Sequence, residues 1–263
     1  MISLQHVTKE FTVRPTRDQP LERTLIALDT VSLDIAAGEF LSLVGPSGSG
    51  KTTLLDLLGG LTTPTSGAIL IDGRPVTGPG LDRAVVFQQY ALFPWRTARS
   101  NVEFGLEAKG VQRRQRRVIA DEYLALVGLS GFEERYPHEL SGGMKQRVAI
   151  ARSLAYEPDI LLMDEPFAAL DAQTREQLQD ELLRIWAQTG KTIVFITHAI
   201  DEAVYLGQRV AVLSARPGRI THIVDVDLGD RTTAGTRDLR SDPRFVDYRH
   251  QIWSLLHSSG KAA

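Results

Sequence analysis

Eight consecutive residues, Gly45-Pro46-Ser47-Gly48-Ser49-Gly50-Lys51-Thr52, match the pattern G-x-x-x-x-G-K-[ST] in full. Each constraint in that pattern has a chemical reason. Glycines let the backbone curl until successive N–H groups point inward at phosphate oxygens. A helix opening after the loop adds the positive end of its dipole. Lys51 reaches the β- and γ-phosphates of a nucleoside triphosphate, and the Thr52 hydroxyl ligates Mg²⁺. Residues 45–52, together with Thr53, form the candidate ATP-binding set. Mg²⁺ is the expected cofactor.

A second chemical cluster closes the apolar run Ile160-Leu161-Leu162-Met163, which ends in Asp164-Glu165. Beside a phosphate loop, an Asp at such a strand end holds Mg²⁺ through water. The adjacent carboxylate orients and polarises the attacking water as a general base. The two clusters together point to ATP hydrolysis.

These residues need elements to hold them. Phe40-Leu41-Ser42-Leu43-Val44 reads as a buried strand running into the glycine loop, and residues 53–60 read as the helix after it. Residues 4–13 and 27–35 read as strands, with the polar stretch 14–24, containing Pro15 and Pro20, as the loop between them. Residues 68–72 and 84–88 are expected as short strands, and 98–157 as mostly helical. Strands return at 160–163 and 192–197. Leu178, Leu182, Ile185 and Trp186 recur at helical spacing between them, as core positions do. Strands at 210–214 and 219–226 follow, and Phe245, Tyr248, Ile252 and Leu256 suit one face of a terminal helix. The layout is α/β with a helical insertion at about 90–158, a parallel sheet, and ligand loops at the strands' carboxyl ends. Residues 1–230 are expected to form the main domain and 231–263 a helical tail.

Composition narrows the class. The 263 residues suit one large or two small domains. Apolar residues at 43% and charged residues at 24% are the ordinary balance of a globular protein. A net charge of −2 makes no electrostatic case for nucleic acid, which is not an expected partner. The absence of cysteine excludes disulfides and thiolate metal sites and fits a reducing cytoplasm. No stretch approaches the roughly 18–20 apolar residues that cross a bilayer, and residues 1–6 lack a signal-peptide pattern. Membrane association is therefore expected only through a partner. The basic cluster at 113–117 reads as a solvated helix face.

One further motif is specific. Leu140-Ser141-Gly142-Gly143-Met144-Lys145-Gln146-Arg147, upstream of the acidic strand, resembles the signature sequence of ATP-binding cassette (ABC) ATPases. The resemblance covers roughly residues 2–230. It implies a P-loop NTPase fold of the ABC ATPase type: a RecA-like core with an N-terminal antiparallel β subdomain and a helical subdomain insertion. It also implies that Ser141, Gly142 and Gly143 contact ATP held by a second subunit. Gln88 looks like the Q-loop glutamine that senses Mg²⁺ and the attacking water. Asp171 looks like the D-loop aspartate at the dimer seam, and His198 like the switch histidine at the γ-phosphate. Phe11 lies where the family places an adenine-stacking aromatic. The implied catalytic set is Glu165, His198, Lys51 and Gln88, and the implied metal set is Thr52, Gln88 and Asp164. Met144, Ala168 and Ala199 depart from the commonest family residues, and none of these changes removes a phosphate-contacting group.

Four segments, 78–83, 92–97, 215–220 and 241–243, look like the nitrate/sulfonate/taurine importer branch. That branch implies two copies of the chain beneath transmembrane permease subunits, fed by an extracytoplasmic substrate-binding protein. The location implied is peripheral, on the cytoplasmic face of the inner or plasma membrane. Residues 88–99 would receive a coupling helix, with Phe93 and Trp95 as anchors; core packing is the equal alternative for Phe93. Two alternatives stand beside this reading: an ABC exporter subunit, and a soluble ABC ATPase acting on nucleic acid or ribosomes. Against the second, the chain has no sustained heptads and only one phosphate loop and signature. A GTPase is excluded by the lack of an Asn-Lys-x-Asp element.

Overall fold

The structure, a computed structural model, describes residues 1–13, 23–229, 231 and 239–258. The chain opens with β1 (Ile2–Val13), β2 (Arg23–Ile35), β3 (Phe40–Val44), α1 (Lys51–Leu58), β4 (Ser66–Ile71), β5 (Arg74–Pro75) and β6 (Arg83–Val86). A helical stretch follows, with α2 (Ala98–Ala108), α3 (Arg113–Leu126) and α4 (Gly142–Ala155). The chain then returns to alternating elements: β7 (Ile160–Asp164), α5 (Ala172–Thr189), β8 (Thr192–Ile196), α6 (Ile200–Leu206), β9 (Arg209–Leu213), β10 (Ile220–Asp225) and α7 (Pro243–Ser258).

The strands form two sheets. One is antiparallel, in the order β2-β1-β4-β5. The other has the order β10-β9-β3-β8-β7-β6, parallel throughout except at β10.

Side-chain alternation explains the layering. Successive residues of a strand face opposite sides of the sheet, and a parallel sheet covered on both faces reads as continuous apolar runs. In β8, Ile193 and Phe195 join the core under the helices, while Val194 and Ile196 face the second core. In β7, Leu161 and Met163 take the first side, and Ile160 and Leu162 the second. The second core holds Leu54, Leu55, Leu57 and Leu58 of α1 with Ile2, Leu4 and Val7 of β1. The phosphate-loop helix is thus clamped between the two sheets. The expected face of α5 packs as read, with Leu178, Leu182 and Ile185 buried and Trp186 packed against them. On α7, Phe245 and Ile252 are buried in the same core, with Tyr248 and Leu256 packed beside it.

Several boundaries move. α1 begins at Lys51, two residues before the expected start, because Gly50 takes a left-handed φ of 90° and caps the helix directly. Arg23 and Thr24 belong to β2 instead of a loop, paired with Val13 and Thr12; residues 14–22 of that expected loop lie outside the described residues. β6 stops at Val86, so Gln88 sits on an exposed turn after it. The expected strand at 68–72 is β4, and it joins the antiparallel sheet. Residues 90–97 of the expected helical insertion are irregular, and its first helix opens at Ala98, where Thr97 accepts a hydrogen bond from the Ser100 N–H.

Phe195 is fully buried, with ring centroids 6.0 Å from Phe40 and 5.6 Å from Phe167. Phe195→Ala is expected to destabilise the chain by about 3–5 kcal/mol in urea unfolding. A loss below about 1 kcal/mol would show that the surrounding core collapses to fill the gap.

Candidate functional site

The register of the parallel strands assembles the chemical residues. Leu43 pairs with Ile196, and Ile196 with Asp164, so the loop after β3, the acids at the end of β7 and Thr197-His198 after β8 emerge side by side. Carboxyl ends of parallel strands are where open α/β sheets place ligands.

The glycine loop is shaped by close approaches. Gly48 and Gly50 have φ of 76° and 90°, a region that side chains resist. A Cβ on Gly50 would also fall 2.8 Å from the Ala27 carbonyl oxygen, and one on Gly45 would fall 2.8 Å from Ser49 Oγ. Lys51, the first helical residue, bends back over the loop and donates to the carbonyls of Gly45 at 2.8 Å and Pro46 at 3.1 Å. Burial pushes the Lys51 ammonium below its ordinary pKa, against the pull of the Glu165 and Asp164 charges. Ser49 Oγ is buried and has no hydrogen-bond partner.

The two acids have different surroundings. Thr52 Oγ1 donates to Asp164 Oδ2 at 3.1 Å. Burial raises the Asp164 carboxyl, partly offset by that hydrogen bond, and the neighbouring Glu165 charge raises it further. Glu165 has a left-handed φ of 44°, unusual for a residue with a Cβ. Its N–H donates to the Ile196 carbonyl at 2.9 Å, and its Oε2 lies 2.9 Å from His198 Nδ1. With this backbone conformation the carboxylate reaches His198.

Beneath His198 runs a buried polar chain that sequence reasoning missed. Thr197 Oγ1 donates to Glu202 Oε2 at 2.5 Å and accepts from the Ala199 N–H at 3.0 Å. Gln179 Nε2 donates to Glu202 Oε1 at 3.3 Å, and Arg240 donates to Gln179 Oε1 at 2.7 Å. Burial raises the Glu202 carboxyl, with the Thr197 hydrogen bond opposing it. The signal available in the sequence was Gln179 beside Leu178 on the apolar face of α5.

A cleft of about 630 Å³ runs over the loop, with residues 47–53, Glu165 and His198 in its walls. That volume suits a small-molecule site. Phe11, exposed on β1 with Lys9 Nζ 5.0 Å from its ring centroid, forms an outer wall. Leu25, Ala27 and Arg216 also line the cleft and were not foreseen as site residues.

Ser141, Gly142, Gly143, Asp171 and Gln88 are not among its walls. Ser141 caps α4 by accepting from the Met144 N–H, and a Cβ on Gly143 would fall 2.5 Å from Thr174 Cγ2. Asp171 caps α5 by accepting from the Thr174 N–H at 3.0 Å, which holds its carboxyl below the usual range. The two helix starts thus pack against each other at Thr174. Gln88 follows β6, whose Val86 pairs with Met163, next to Asp164.

Comparison with known proteins bears on this geometry. Residues 28–168 match the family model described as ABC transporter. The chain is 53% identical to the nitrate import ATP-binding protein NrtD of Synechocystis, over 89% of each chain. It is 47% identical to the taurine import ATP-binding protein TauB of Rhizobium johnstonii, over 98% of this chain and 97% of that one. Among solved structures it is similar to the dimeric ATP-binding cassette MJ0796 bound to ADP and Pi, with a TM-score of 0.74 and 37% identity over 86% of this chain and 99% of that one.

Thr197→Val removes the shortest donor to the buried Glu202 carboxylate. The expected loss is about 1–3 kcal/mol in urea unfolding, the range for a buried polar group left short of a partner. A loss within about 0.5 kcal/mol, as for an ordinary surface change, would contradict the importance of this chain.

Proposed function

Because this chain belongs to the ABC transporter family, we propose that it is the ATP-hydrolysing subunit of an importer for a small anion or organic solute, such as nitrate, a sulfonate or taurine. The observation that carries the reading is the convergence of Lys51, Thr52 with Asp164 bonded behind it, and the Glu165–His198 pair on one cleft. The names of the nitrate and taurine import relatives support the choice of solute class. Residues 1–230 are read as the ATPase domain, with its helical subdomain at about 90–158, and 231–263 as the tail.

ATP is proposed to lie on the loop, with Phe11 against the base and the phosphates over residues 45–53. Lys51 exchanges its loop carbonyls for β- and γ-phosphate oxygens. Thr52 and Asp164 present hard oxygen donors 3.1 Å apart, a set that fits Mg²⁺, which takes one or two such ligands beside phosphate oxygens and water. Gln88 completes the proposed metal set from its turn. When bound, Mg²⁺ neutralises charge on the transferring phosphoryl group.

Glu165 orients the attacking water and accepts its proton as the water oxygen bonds to the γ-phosphorus and the ADP oxygen leaves in line. His198 holds the Glu165 carboxylate through Nδ1 and approaches the γ-phosphate.

A single copy does not place Ser141, Gly142 and Gly143 in this cleft. They are read as donors to ATP held by a second copy, with Asp171 at the seam. The solved dimer of a similar cassette supports that arrangement. No helix among the described residues is long and apolar enough to cross a membrane, so transmembrane permease subunits are the proposed partners. Phe93 packs with its ring tilted against Phe104 at 4.7 Å and against the exposed Trp95 at 5.7 Å, an aromatic patch on which such a subunit can seat. A substrate-binding protein outside and attachment at the cytoplasmic membrane face complete the proposal.

Glu165→Gln is expected to keep ATP binding while turnover falls about a hundredfold or more; near-normal hydrolysis would remove Glu165 from the base role. Ser141→Arg should abolish turnover yet leave nucleotide binding to the isolated chain intact. Equal loss of both would overturn the across-subunit assignment. Purification with membrane subunits and uptake of nitrate or sulfonates test the transport role; copurifying nucleic acid or ribosomes would contradict it.

A further inference from the structure

The loop between β9 and β10 is braced where it crosses the cleft. Ser214 Oγ donates to the Pro217 carbonyl at 2.9 Å and accepts from the Arg219 N–H at 3.0 Å. The Gly218 N–H donates to the Ala27 carbonyl at 2.9 Å, and the Gly218 carbonyl accepts from the Asp29 N–H at 3.0 Å. Arg219 Nε donates to Asp29 Oδ2 at 3.0 Å. A Cβ on Gly218 would lie 2.0 Å from the Ser49 carbonyl oxygen, so this loop packs directly on the phosphate-loop backbone. Glycine at 218 is the residue that permits this approach.

Arg216 is an exposed residue of that braced loop, and among residues 214–219 it is the one that lines the cleft. Its Nη2 lies 3.4 Å from where a Cβ on Gly48 would sit. Arg219, three residues on, is committed to Asp29. Among the described residues no hydrogen bond or ion pair occupies the Arg216 guanidinium. An exposed arginine without a carboxylate partner, beside a glycine loop of the phosphate-binding pattern, is free to meet an anion. Its planar fork matches phosphate oxygens bidentately. The base-facing wall, by contrast, is apolar, made by Phe11, Leu25 and Ala27.

We infer that Arg216 is a nucleotide-binding residue that grips the phosphates of ATP beyond the α position, from beside Gly48. This rests on the reading of the cleft as an ATP site. The loop that joins β9 and β10 would then help to hold the triphosphate, and the bracing by Asp29 and Ala27 would serve to place the backbone from which Arg216 extends.

The test is titration of the full chain with ATP, ADP and AMP, for the wild type, Arg216→Gln and Arg216→Lys. Arg216→Gln should weaken ATP and ADP binding about tenfold, the equivalent of about 1.4 kcal/mol, and leave AMP within about twofold. Arg216→Lys should recover part of the loss, since it keeps the charge without the fork. Because AMP binding serves as the folding control, an equal loss for all three nucleotides would overturn the inference in favour of a sugar or base contact or a damaged site. Unchanged ATP affinity in Arg216→Gln would also overturn it while leaving the ATP site standing. A wild-type chain that fails to bind ATP would remove the site itself and the inference with it.

Discussion

Leu43 stands opposite Ile196, and Ile196 opposite Asp164. On that register the rest of the site depends. Strands β3, β8 and β7 carry apolar residues on both faces, so each of those apolar residues is assigned to one core or the other. A slip of one residue would exchange every side chain between the two cores, and Phe195 would have to leave Phe40 and Phe167. The packing therefore forbids the slip. The polar residues at the strand ends are carried to fixed heights by an interaction in which they take no part. Thr52 meets Asp164 and Glu165 meets His198 because the hydrophobic runs behind them are locked.

A second layer of constraint is polar. Glu165 and His198 face the cleft, but the turn that holds His198 is tied from below through Thr197, Glu202, Gln179 and Arg240. The last of these belongs to the C-terminal segment. Arg231 enters from the same segment and donates to the carbonyls of Val204, Tyr205 and Val226, with burial lowering its pKa to about 10. With Phe245 and Ile252 in the main core, the C-terminal segment is a structural neighbour of the turn that carries His198. Ser141 and Asp171 show a related economy. Each caps a helix within its own chain, and each is also the residue proposed to face a second copy. Capping fixes the backbone there, so the outward donors of each segment are held in place before any partner arrives.

Much of this was legible in the sequence, for reasons that can be named. Short apolar runs bounded by glycine or acids located β3 and β7, and spacing of three and four residues located the buried face of α5. The glycine pattern at 45–52 named the loop because backbone approach and positive φ leave few alternatives. What escaped was set by contacts distant in sequence. The helix start at Lys51 follows from the left-handed Gly50, whose neighbours Ala27 and Leu28 come from another sheet. The membership of β4 in the antiparallel sheet is a matter of pairing with β1, which no local pattern encodes. Gln179 and Glu202 read locally as ordinary polar residues of helices. Arg216 stood out only as part of the segment 215–220 that resembles the importer branch, and the docking of Gly218 on Ser49 is what brings it beside the loop.

The sequence by itself determined which chemistry is available: a glycine loop with Lys51 and Thr52, an acid pair at a strand end, and a signature that opens a helix. These are local features, in which residue type and spacing within about ten positions carry the physics. Tertiary structure alone decided which of those groups share one cleft and which face outward. Lys51, Asp164, Glu165 and His198 come from three strand ends, spread over almost 150 positions of the chain. Their meeting is a consequence of register between buried strands, and register is fixed by the fit of two cores at once. Ser141, Gly142 and Gly143 stay outside the walls of that cleft in their own chain, a separation that spacing along the sequence has no means to express.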